Sequence, residues 1–127
     1  KALASINAED ARGCFAAGSE KLISEYQRLR VGAVREVEGY LNACRAMLGI
    51  KDGALTRSLG AIERPTLVIA GELDPYCPPR ASKAIATAIP GAELRVISRA
   101  GHCVHWEAGD STNELIRRFI GGEGGKA

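Results

Sequence analysis

Two patterns of apolar spacing divide the chain near residue 64. Before it, apolar side chains recur at three- and four-residue steps, the signature of amphipathic helices. A short helix is expected over residues 8–17, with Asn7 as N-cap. Ser19 is expected to cap a second, with Leu22, Ile23, Tyr26 and Leu29 on one face, and Gly32 to break or bend the chain. Val34, Val37, Leu41, Cys44 and Leu48 mark a third helix, with Gly49 at its C-cap and Lys51-Asp52-Gly53 as a turn. Leu55, Leu59 and Ile62 predict a further short helix or turn.

After residue 64 the spacing changes. Residues 66–70 and 94–97 are continuous apolar-rich runs, predicted to be strands buried on both faces of a parallel sheet. Pro65 suits the start of the first. Pro78 and Pro79 suit the first turn of a helix whose apolar face is Ala81, Ala84, Ile85, Ala88 and Ile89, stopped by Pro90-Gly91. A loop over residues 98–109 holds both histidines and the Trp. Asp110 or Ser111 is expected to cap the last helix, with Ser111-x-x-Glu114 as a capping box and Leu115, Ile116, Phe119 and Ile120 as its buried stripe. The Gly-rich end, residues 121–127, reads as a flexible tail.

A strand–helix–strand unit is parallel, so both strand ends reach one edge of the sheet, the edge where open α/β sheets bind ligands. Gly71-Glu72-Leu73-Asp74-Pro75 follows the first strand and Ala100-Gly101-His102 follows the second. Two apolar strands do not make a stable doubly wound sheet, which ordinarily has about five or six. The expectation is an incomplete α/β sheet, completed by further polypeptide or by a partner chain in an oligomer. The alternative is a small self-standing α/β domain.

Composition narrows the function classes. The 127 residues are 46% hydrophobic and 25% charged, with a net charge of +2, which makes no electrostatic case for nucleic acid or an anionic membrane. No apolar run reaches the ~20 residues that span a bilayer, and the first ten residues lack the apolar core of a signal peptide. The four cysteines, at 14, 44, 77 and 103, form no CxxC pair or close cluster. Reduced thiols in a cytoplasmic protein are expected, with no metal site.

Asp74 and His102 are the candidate catalytic residues. A carboxylate on one imidazole nitrogen fixes the tautomer and stabilises the imidazolium, leaving the other nitrogen as a general base. The competing reading makes Asp74 a helix cap and His102 a turn residue. His105 reads as a solvated loop residue or lid contact, and Trp106 as packing between the loop and the last helix. Cys77 and Cys103 flank the pair as conceivable thiol nucleophiles. Among Arg28, Arg30, Arg35 and Arg45, one could bind a substrate carboxylate bidentately.

The run PTLVIAGELDP, the helix begun by Pro78-Pro79, IPGAELRVIS and AGHCVHWE together resemble the C-terminal third of α/β-hydrolases, whose triad runs Ser, Asp, His along the chain. The resemblance covers roughly residues 62–120 and implies Asp74 as triad acid and His102 as triad base, with no cofactor. It implies a helical cap or lid over residues 1–62 and the C-terminal part of the hydrolase core over 63–120. There is no G-x-S-x-G, so the nucleophile and oxyanion hole are expected on an N-terminal half outside this chain, in a missing segment or on a separate partner. Gly39-Tyr40-Leu41-Asn42-Ala43-Cys44 with Leu55-Thr56-Arg57-Ser58-Leu59 resembles 3-oxoadipate enol-lactonases. His102-Cys103-Val104-His105-Trp106-Glu107 resembles the GH-x-x-x-WE stretch of the C–C-cutting meta-cleavage-product hydrolases. The implied activity is hydrolysis of a small carboxylate-bearing lactone or ester. The alternatives are a C–C hydrolase of ring-fission products and a non-catalytic relic or interaction module.

Overall fold

The computed structural model describes residues 11–33, 36–50 and 54–122. A helical turn at 11–13 leads through a bend into α1 (Glu20–Ala33). There follow α2 (Val37–Gly49), α3 (Ala54–Ser58), a 3₁₀ turn (Leu59–Ala61), β1 (Leu67–Gly71), α4 (Pro79–Ala88), β2 (Glu93–Ile97), α5 (Val104–Glu107) and α6 (Gly109–Ile120). β1 and β2 pair in parallel, Leu67 opposite Glu93 and Gly71 opposite Ile97. α4 packs on both strands, and α6 packs on β1 and α5. Among the described residues no helix is long and apolar enough to cross a membrane.

The helix–strand division falls where the spacing places it, but several faces do not. The expected helix over 8–17 is already a turn at Cys14–Phe15, where Cys14 N–H donates to Ala11 O at 3.2 Å; its cap Asn7 lies outside the described residues, as do Val34 and the Lys51-Asp52-Gly53 turn. Gly32 is helical, and α1 runs one residue past it. On α4 the buried positions are Ser82 and the adjoining Ile89, whereas Ile85 is exposed. α6 starts at Gly109, directly after α5, so Asp110 and Ser111 fall inside its first turn and the capping box does not form. Glu114 instead pairs with Arg117 at 2.6 Å and Arg118 at 2.8 Å. Thr112 is its buried residue, and Ile116 and Ile120 are exposed.

The sheet is two-stranded and incomplete. The strands, expected to be buried on both faces, are mostly half-buried, and Val96 is exposed. The described part of the stripe expected on α2, Val37, Leu41, Cys44 and Leu48, is likewise not buried: that helix buries no residue. The core lies elsewhere, where Cys14, Phe15 and Cys103 meet Leu22, Ile23, Tyr26 and Trp106.

Candidate active site

Both strand ends are held together by backbone. Gly71 leaves no room for a side chain, because a Cβ would collide with the carbonyl oxygens of Gly101 and Ala100. Leu73 N–H donates to Ala100 O, and Glu72 N–H to Ile97 O, both at 2.9 Å. Glu72 reaches across as well. Its Oε2 accepts Ser98 Oγ–H at 2.7 Å and Arg99 N–H at 2.9 Å, which hold its carboxyl below the ordinary range. Arg99 has a φ of 59°, a left-handed conformation that a long side chain adopts only when its surroundings impose it. These ties aim the loop after β2 back over the turn after β1.

Asp74 and His102 meet there. Nδ1 of His102 lies 3.0 Å from Asp74 Oδ1 and 2.9 Å from Oδ2. Oδ1 also accepts Tyr76 N–H and Cys77 N–H, each at 2.9 Å. Asp74 therefore caps the turn ahead of α4 and engages the imidazole with the same carboxylate. Burial pushes its carboxyl up, but donation from Cys77 N–H, His102 and Tyr76 N–H outweighs burial and holds it below its usual value. The Asp74 side chain is 6% exposed and that of His102 43%. A carboxylate sunk in the fold thus holds a ring open to a cavity. Among the described residues no protein group engages Nε2, the nitrogen a general base needs free.

That cavity, about 510 Å³, is lined by Cys14, Tyr26, Arg30, Met47, Tyr76 and His102. Tyr76 packs edge-on to the imidazole, ring centres 5.3 Å apart. On the wall from α1, Arg30 Nη1 donates to Tyr26 OH at 3.2 Å, and the guanidinium lies over the Tyr26 ring. Of the four candidate arginines, Arg30 lines this space, Arg28 is exposed, Arg45 pairs with Glu38 at 2.7 Å, and Arg35 lies outside the described residues.

The other candidates have surroundings of their own. Cys103 is buried in the core, where burial and then Cys14 push its thiol up to about 11, unsuited to a thiolate nucleophile. Cys77 Sγ lies 3.5 Å from Ser82 Oγ. His105 is exposed on α5. Trp106 packs edge-on against Tyr26 of α1, so it fastens the loop to the helical region. Among the described residues no three His, Cys, Asp or Glu side chains gather as a metal site. The sequence pattern assigns no role to Glu72, Tyr76 or Glu107. The signal available for Glu72 was its place, one residue past an apolar strand.

A family model for the α/β hydrolase fold matches residues 9–109, most of the chain, and the chain belongs to that family. Over 62 residues it is 37% identical to a 2-hydroxy-6-oxononadienedioate/2-hydroxy-6-oxononatrienedioate hydrolase of Klebsiella pneumoniae, a match covering 49% of this chain and 22% of that one. Over 65 residues it is 44% identical to the proline iminopeptidase PfmaB of Pestalotiopsis fici, covering 51% and 23%. A thermophilic esterase from Thermogutta terrifontis superposes with a TM-score of 0.80 at 27% identity, over 91% of this chain and 42% of that one. Est816, described as an N-acyl homoserine lactone degrading enzyme, superposes with a TM-score of 0.70 at 28% identity, over 92% and 47%. The matches thus span about a quarter or less of these curated relatives and under half of these solved chains.

Proposed function

We propose that this chain supplies the acid and base of a serine-type hydrolase acting on a small carboxylate-bearing lactone or ester. The observation that carries it is the contact between buried Asp74 and His102 at the end of two parallel strands. In this reading a serine on the remainder of the hydrolase, in the same or another polypeptide, gives its proton to Nε2 of His102 as Oγ attacks the carbonyl carbon. Asp74 stabilises the imidazolium. The tetrahedral intermediate then collapses, and the leaving oxygen takes the proton back from Nε2. Water repeats the sequence on the acyl-enzyme. Arg30, on the wall of the cavity that His102 also lines, pairs with the substrate carboxylate. Likeness to an esterase and to a lactone-degrading enzyme supports the ester or lactone substrate.

A fluorophosphonate probe tests this on the assembly that contains both halves. Serine labelling is expected, and it should be lost in Asp74→Asn and His102→Ala variants. Absence of labelling in folded material returns the chain to a non-catalytic role. Replacing Arg30 by Gln should raise KM for a carboxylate-bearing ester and leave KM for its methyl ester unchanged. The relatives named as 2-hydroxy-6-oxononadienedioate hydrolases favour a second reading, C–C hydrolysis of a ring-fission product. Turnover of such a dienedioate ahead of simple esters would select it.

A further inference from the structure

We infer that Glu107 is a positioning residue that holds His102 against Asp74 by fastening the histidine loop to the segment ahead of α1. Glu107 ends α5, five residues beyond His102, and its carboxylate spans two remote stretches of chain. Oε2 accepts Gly101 N–H at 2.6 Å, on the residue just before His102. Oε1 accepts Ala16 N–H at 2.6 Å and Ser19 Oγ–H at 3.1 Å. Such charge-assisted bonds are stronger than neutral ones.

Two further features bracket the histidine. Cys103 N–H, on its other side, donates to Cys14 O at 2.9 Å. Gly101 lies so close to this segment that an added Cβ would stand 2.8 Å from Ala16 N and 2.9 Å from Cys14 O. His102 is therefore flanked by residues whose N–H groups are committed to residues 14–19 or to the carboxylate that holds them. Without Glu107, Gly101 N–H and Ala16 N–H lose their acceptor, and the loop is held less firmly against Asp74. Glu107 acts through the backbone before His102, its carboxylate bonded to Gly101, Ala16 and Ser19.

The kinetic test rests on the hydrolase reading above, whereas the spectroscopic one does not. In Glu107→Gln the side chain keeps its size, but an NH₂ faces an N–H donor in place of one oxygen. In the assembly with the nucleophile-bearing half, kcat on a p-nitrophenyl ester should fall roughly 10- to 100-fold with KM little changed. On the same protein, the low-field proton NMR signal of the His102 Nδ1–H bonded to Asp74 should broaden or vanish. Should Glu107→Gln fail to fold, Glu107→Asp, which keeps the charge but falls short of spanning both segments, is expected to weaken the same signal and lower kcat. A folded variant with an undisturbed signal overturns the inference, whatever its kcat. If the wild-type assembly hydrolyses nothing, the hydrolase reading fails and the proton signal alone judges Glu107.

Discussion

Asp74 keeps its charge although its side chain is 6% exposed, because three donors converge on it. Its carboxyl lies below its usual value in the folded chain. The stabilisation it supplies is therefore complete above the unfolded value of about 4 and is lost as pH falls through the folded one. Urea titrations of wild type and Asp74→Asn should show the variant less stable at neutral pH, with the two curves converging on acidification. In the completed enzyme the same variant should lower kcat by about three to four orders of magnitude, since the imidazole loses both its tautomer and its counter-charge. The thiols give an independent check. Buried Cys14 and Cys103 should resist a thiol reagent at neutral pH while half-buried Cys44 and Cys77 react; rapid labelling of Cys103, whose thiol sits near 11, would contradict the packing. At this scale the sequence was informative, because Asp-Pro and Gly-His after two apolar runs already pointed to one edge. The edge-on Tyr76 carries no spacing signal, since it depends on how the turn after β1 folds back.

At the scale of elements, both strand ends rely on glycine to come within backbone contact. Gly71→Ala would drive a methyl group into the carbonyls of Ala100 and Gly101. It should destabilise the fold by about 1–3 kcal/mol, as overpacking does, measured by urea unfolding. The same change at Gly91, where φ is 72° and no atom lies within 4 Å, tests backbone strain without collision. The strands and α4 were legible to within a residue, because apolar runs and Pro-initiated helices are local signals. Which face of a helix is buried was less so. Ser82 is buried on α4 and Thr112 on α6, each beside a polar partner, Cys77 Sγ and Val104 O, and apolar periodicity does not register such positions.

The molecule as a whole carries apolar surface it does not cover. Val37, Leu41, Met47, Leu48 and Ile50 are exposed on and after α2, and among the described residues no further strand pairs with β1 or β2. If the proposed nucleophile-bearing half completes the core, mixing it with this chain should bury that surface. A rise in the thermal midpoint that grows with the partner's concentration is the expected result; a midpoint indifferent to it would count against completion in this way. The residue order by itself determined the class: helices, then a strand–helix–strand unit, with a carboxylate and an imidazole following the two strands. Those features follow from periodicity and turn chemistry, which act over a few neighbouring residues. Only the tertiary structure decided that Arg30, and not Arg28 or Arg45, shares a cavity with His102, that Trp106 packs on α1, and that Glu107, bonded to Gly101, also reaches Ala16 91 residues away in sequence. Such contacts depend on how separate elements dock, and no short-range pattern records that.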